Sequence, residues 1–295
     1  MTHDYYRAGG FHSLRGAVDK GGKLSAWNDH FITFSNDGQR PVGGGELRAD
    51  EFPAQLLPNV HISQTMLPLG TRCGPWRAPG DNTKAFAVQS FLHELAVAAK
   101  RDHRDFLIEI MGERRWLAAQ TDRDLNTGRA VDVIKLATDK AGWGRALPQG
   151  HALGLAFHFC HAGHVAEVAE VSVTAQRKIT VHRVTVAADV GPIVNRSGAD
   201  NQMLGAVTDG LSTMLDLEIT IEGGRVAQQN FGDYRPLRMP NAPIVDAYFI
   251  ESDYSPTGLG EPALPPLAPA VCNAIFTATG HRIRTLPISR EGFSV

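Results

Sequence analysis

VNRSGADNQMLGAVTDGLSTML, residues 194–215, places Met203, Ala206, Val207, Gly210, Leu211, Met214 and Leu215 at the i, i+3, i+4, i+7 spacing of one helical stripe. The stripe predicts an amphipathic helix with that face in a core. Ser197-Gly198-Ala199-Asp200 resembles a capping box at its start, with Asp shorter than the usual Glu or Gln. Gln202, Gly205 and Asp209 share the side away from the stripe, and Gly205 leaves a notch there. A neutral amide beside a notch suits a polar, uncharged ligand edge, because Gln both donates and accepts. The same three residues also describe a solvated helix face.

Upstream of this helix, Val171 and Val173 alternate with Glu170, Ser172 and Thr174, and residues 175–178 turn the chain into Ile179, Val181, Val184 and Val186. That is a hairpin whose second strand slips phase between Val181 and Val184, the mark of a bulge or of burial on both faces. Downstream, strands at 217–221 and 244–250 bracket an Arg/Pro-rich segment. A last helix runs from Pro266 to Thr279, with Gly280 as its stop.

In the first half, Leu24–Trp27 and Phe31–Phe34 read as short strands, with turns at Gly21-Gly22 and Asn36-Asp37-Gly38. Val88, Phe91, Leu92, Leu95 and Ala99 predict a helix capped by Asp81 or Asn82, and two more helices follow at 104–111 and 129–141. Segregated strands and helices predict an α+β fold in two parts, residues 1–150 and 151–295, joined near Pro148-Gln149-Gly150.

With 295 residues the chain is long enough for a sizeable core, and its net charge of −2 gives no electrostatic reason to expect nucleic acid as a partner. No run has the length of a transmembrane segment, and the N-terminus has no apolar signal core. The compartment, cytoplasmic or periplasmic, is left open by this pattern. Three separated cysteines, Cys73, Cys160 and Cys272, make neither a disulfide framework nor a zinc or iron–sulfur cage. His158, Cys160, His161 and His164 crowd one segment. On an extended strand, however, His161 points opposite to His158 and His164, so no metal residue is proposed.

Two loops carry chemistry-bearing residues. Gly258-Leu259-Gly260-Glu261-Pro262 aims one carboxylate: the glycines allow close approach or positive φ, and Pro262 restricts Glu261. Cys73-Gly74-Pro75-Trp76-Arg77-Ala78-Pro79-Gly80 sets an aromatic and a guanidinium just before a helix N-terminus, where free N–H groups favour anions and oxo groups.

Four segments occur in the order seen in molybdenum hydroxylases: GTRCGPWRAPGDNTKAFAVQSFLHE from Gly70, VNRSGADNQMLGAVTDGLSTML from Val194, DYRPLRMPNAP from Asp233 and GLGEPALPPLAPAVCNAIFTATG from Gly258. The chain resembles the beta subunit of isoquinoline 1-oxidoreductase and related aldehyde dehydrogenases of the xanthine dehydrogenase/aldehyde oxidase family. The resemblance covers nearly the whole chain but only the C-terminal portion of such subunits. Their N-terminal part carries further glycine-rich cofactor-binding segments with no counterpart here.

The resemblance implies the α+β molybdopterin-binding fold. It implies Glu261 as active-site base, and Gln202, Trp76, Arg77 and Gly80, with the neighbouring Gly205 and Gly260, as cofactor contacts. It further implies hydroxylation of an aldehyde or N-heterocycle with water as oxygen donor. The cofactor would be molybdopterin, in the cytosine dinucleotide form, with molybdenum held by the pterin. The 2Fe–2S clusters would lie on a partner iron–sulfur small subunit, and a split subunit would need a separate N-terminal chain. A non-catalytic assembly fragment is the alternative.

Overall fold

Strands β4 (His151–Cys160), β5 (Gly163–Val173) and β6 (Ile179–Asp189) form an antiparallel meander, and β9 (Ile244–Phe249) adds to β6 in parallel. Their alternation explains what lies on each face. Leu155, Phe157, Ala166, Val168 and Ala187 join one core, with α1 (Asp81–Ala98), α2 (His103–Met111) and α3 (Thr127–Ala141). Ala156, Val165, Ala169, Val171, Val184 and Val186 join the other, against α4 (Arg196–Leu215) and α5 (Leu267–Thr279). A sheet covered on both faces reads as nearly continuous apolar runs, and each fully buried large side chain contributes about 1.5–3 kcal/mol.

The chain is described here from a computed structural model over residues 4–7, 9–118 and 121–295. The phase slip in β6 is a bulge: Glu170 faces Arg183 and Val171 faces Val181, leaving His182 as the extra residue. The closest approach is at Gly154, where a Cβ would lie 2.1 Å from the Ala270 carbonyl oxygen and 2.3 Å from the Ala274 nitrogen. Glycine alone lets α5 lie directly on β4.

A second sheet orders β1 (Phe11–Val18), β2 (Leu24–Ser35) and β3 (Asn59–Pro68), with β2 and β3 parallel. Leu24 and Trp27 of β2 reach the core around α1–α3. The two strands expected within 24–34 are one twelve-residue strand, and β3 carries no clear alternation, its burial running from exposed to half-buried and back. A two-stranded ribbon, β7 (Ile221–Glu222) and β8 (Arg225–Val226), completes the topology. No helix among the described residues is long and apolar enough to cross a membrane.

Two helix starts differ from expectation. Gly80, at φ 74°, occupies the N-cap of α1, so Asp81 and Asn82 lie inside the helix and their side chains turn elsewhere. At α4 the cap is Asn195, whose side chain accepts from Gly198 N–H, while Asp200 pairs with Arg196. The last helix ends at an αL Gly280, as its sequence predicts.

Candidate active site

Three segments distant in sequence converge where α4 passes the 70–80 loop and the 258–262 loop, and Arg77 ties them together. Its Nε donates to the Gly260 carbonyl oxygen, its Nη1 to Asp209 Oδ2 at 2.8 Å, and its Nη2 to Gln202 Oε1 at 3.0 Å and the Gln202 carbonyl oxygen at 3.2 Å. A planar fork with five donors can serve several acceptors at once, which an ammonium cannot do in this geometry. The notch at Gly205 is filled by this guanidinium: a Cβ there would sit 3.3 Å from Arg77 Nη1. The exposed-side triplet of α4 is thus a docking face for Arg77.

Glu261 is held at both oxygens. Ala78 N–H donates to Oε1 at 3.0 Å, and His161 Nε2 lies 2.9 Å from Oε2. The carboxylate borders a cleft of about 410 Å³ lined by Arg123, His161, Ala162, Gly258, Gly260, Glu261 and Pro262. Neither Gly258 nor Gly260 has positive φ, contrary to one of the two roles read for them. The other role agrees with the space present, since a Cβ on Gly258 would meet nothing within 4 Å and one on Gly260 only Gln202 Oε1 at 3.9 Å.

Trp76 and Gly80 face a separate, smaller crevice with Arg7, Gly43, Gly44 and Asn82. Trp76 is 37% exposed, so it does not simply pack. Gly80 is required by the backbone: its Cβ would lie 2.8 Å from the Gly44 carbonyl oxygen, and its φ of 74° disfavours a side chain. Of the residues singled out from the sequence, Gln202, Gly205, Arg77, Gly260 and Glu261 therefore come together, while Trp76 and Gly80 lie around the loop from them.

His161 is the residue that strand reasoning overlooked. Cys160 pairs with Gly163, so His161-Ala162 is a two-residue hairpin loop, with φ of 51° and 63°, rather than part of an extended strand. The signal was the Gly163 that closes it. The neighbouring histidines have other work. Buried His164 accepts at 3.0 Å from the N–H of Asn126, the N-cap of α3, and burial pushes its pKa down to about 3. His158 pairs with Asp81 at 3.2 Å.

A polar, oxygen-rich cofactor fits the cleft by one observation. The backbone N–H groups of Gly258, Gly260 and Glu261, three residues that line the cleft, donate to no described residue. Free amides next to open glycines are the donor set that pterin carbonyls, phosphates or oxo groups use.

Residues 131–243 match the family model for a molybdopterin cofactor-binding domain. The isoquinoline 1-oxidoreductase subunit beta of Brevundimonas diminuta is 30% identical over 69% of this chain and 25% of its own length. The chain belongs to the molybdenum hydroxylase family. Another relative in the comparison, the membrane-bound aldehyde dehydrogenase [pyrroloquinoline-quinone] of Gluconacetobacter polyoxogenes, is 28% identical over 98% of this chain and 40% of its own length. The chain thus spans less than half the length of these curated relatives. Among solved structures, quinoline 2-oxidoreductase from Pseudomonas putida 86 superposes with a TM-score of 0.73 at 10% identity, over 94% of this chain and 60% of that one. At that identity the likeness concerns the fold, which is the α+β molybdopterin-binding type and part of a larger subunit.

Proposed function

We propose that this chain is the part of a molybdenum hydroxylase that presents the base, Glu261, to an aldehyde or N-heterocyclic carbon oxidised with water as oxygen donor. The observation that carries this reading is the seat of Glu261. It is a carboxylate anchored by Ala78 N–H and His161, on a loop clamped by Arg77, beside a cleft edged with free backbone amides. The names of two relatives, an aldehyde dehydrogenase and an isoquinoline oxidoreductase, support the substrate class.

The molybdopterin, in cytosine dinucleotide form, would supply the two-electron redox chemistry. The chain would hold it with the backbone of Gly258 and Gly260 lining the cleft and with the Gln202 side-chain amide beside Gly260, while Arg77, seated in the Gly205 notch, fixes that arrangement and Trp76 and Gly80 shape the loop that carries Arg77. Glu261 accepts the proton released as water oxygen is transferred. Its hydrogen bond from Ala78 N–H fixes the orientation of the carboxylate that this role requires. Arg77 acts through the backbone, fixing Gly260 so that Glu261 cannot swing away from the cleft.

Electrons would leave through 2Fe–2S clusters on an iron–sulfur small subunit. An N-terminal molybdopterin-binding portion would complete the pocket, because the relatives are more than twice as long. Residues 1–150 and 151–295 would serve as two α+β parts of the same cofactor-binding region. That length difference also favours a second reading, a non-catalytic assembly fragment.

The test is Glu261→Gln in the assembled enzyme. Molybdenum content should be unchanged while turnover falls by about 10²-fold or more, within the range for removing a general base. Normal turnover at full molybdenum content would refute the role of Glu261. Absence of molybdenum from the wild-type assembly would favour the fragment reading.

A further inference from the structure

Behind Glu261, on the far side of the His161 ring, lies a cluster that the proposed oxidation does not use. Asp81, Cys160 and His161 each present one ligand atom, all within 4.8 Å of one another. Cys160 Sγ lies 2.8 Å from His161 Nδ1 and 3.4 Å from Asp81 Oδ2. We propose that these three side chains form a site for a thiophilic divalent cation of the zinc or cobalt class, separate from the molybdenum cofactor.

The orientation of each ligand supports this. Glu261 accepts from His161 Nε2–H, which leaves the lone pair on Nδ1, the nitrogen that faces Cys160. A carboxylate on the outer nitrogen of a histidine is the usual device for fixing the tautomer and raising the basicity of a metal ligand. His158 does the corresponding job for Asp81. It bonds Oδ1 at 3.2 Å and leaves Oδ2 turned toward the sulfur. Both ligands with rotational freedom are therefore pinned from outside by groups that do not enter the cluster.

One of the three separations is already that of a bound ion. Bonds of roughly 2.0–2.3 Å to a tetrahedral ion put ligand atoms about 3.3–3.8 Å apart. The Cys160–Asp81 separation of 3.4 Å already falls there, and His161, with a side chain 43% exposed at the hairpin tip, can withdraw from the sulfur by a small rotation. Its exposure gives an ion a path in, although Cys160 itself is buried. Three protein ligands leave a fourth position open. A thiol ligand selects against magnesium and calcium, which prefer oxygen. Lys84 opposes binding: its ammonium lies 3.9 Å from Asp81 Oδ1, although its shorter contact, 2.9 Å, is to Glu51.

Cobalt(II) titration of the reduced, molybdenum-free 295-residue chain tests the site independently of the hydroxylase reading, because no turnover is measured. One equivalent should bind, give the intense near-ultraviolet thiolate-to-cobalt band, and be displaced by zinc(II). Cys160→Ser should abolish the band, whereas Cys73→Ser and Cys272→Ser should keep it. Asp81→Asn and His161→Gln should weaken binding at least about tenfold, and Glu261→Gln by about 10–100-fold through loss of the outer carboxylate charge on His161. Lys84→Met should tighten it. Absence of the band in the wild type, or its survival in Cys160→Ser, overturns the proposal. Should Cys160→Ser fail to fold, the exposed His161→Gln decides the matter, and wild-type affinity there is equally fatal.

Discussion

Replacing Arg77 by lysine keeps the positive charge and removes the fork, so it isolates what the geometry of the clamp contributes. Four hydrogen bonds leave the guanidinium, to Gly260, Asp209 and both oxygens of Gln202. A lysine ammonium on a different stem can replace one or two of them. Each lost bond costs about 0.5–1.5 kcal/mol net, more where a charged partner is involved. The Asp209 side chain is 48% exposed, which screens that pair and moves the sum toward the lower end. A loss of about 2 kcal/mol follows, equivalent to about 30-fold in an opening equilibrium.

The sensitive reporter is the buried Ala78 amide, whose acceptor is Glu261 Oε1. Arg77→Lys should speed hydrogen exchange at Ala78 by about 30-fold, while amides in the middle of α5 change little. Unaltered Ala78 protection in a folded Arg77→Lys variant would show that Arg77 does not hold the Glu261 loop.

Two further outcomes test the scaffold. Gly154→Ala forces a methyl to within 2.1 Å of the Ala270 carbonyl oxygen and should destabilise by about 3 kcal/mol or more, read as a lower urea midpoint; a midpoint within error of wild type would refute the direct seating of α5 on β4. Burial lowers the pKa of His164 to about 3 and of His93 to about 4, and that of His103 well below its usual value, so the unfolded chain binds their protons first and stability should fall as pH drops from about 6.5 toward 4. Buried Glu167, with its pKa raised well above normal, works in the opposite sense above about pH 4.5, so Glu167→Gln should steepen the acid loss. Urea midpoints that stay flat from pH 6.5 to 4.5 would contradict this.

The parts of this fold legible in the sequence are those whose partners lie nearby or whose pattern is long. The stripe of α4, the phase slip that becomes the His182 bulge and the glycine stop of α5 are all local statements. β3 was invisible because it is half-exposed and pairs in parallel with a strand more than twenty residues earlier, so no alternation marks it. At the site, Gln202, Arg77 and Glu261 could each be singled out. Their union could not, because Arg77 reaches Gly260 across 183 residues. His161 was missed for a conformational reason. A two-residue hairpin loop normally advertises itself with Asn or Gly at positive φ, and here His and Ala adopt that conformation instead.

The seating of α5 on Gly154 has an evolutionary consequence for the cleft. Glu261 stands six residues before α5, and the residues between, from Ala263 to Pro266, are buried. With α5 lying directly on the backbone of β4, this wall cannot shift along the sheet to admit a larger substrate. The rest of the rim is built differently: Arg123 and the His161-Ala162 hairpin tip can be lengthened, trimmed or exchanged without touching either core. Divergence in what such a cleft admits is therefore channelled to the rim away from α5, and any change at the hairpin that removes His161 also releases one oxygen of Glu261.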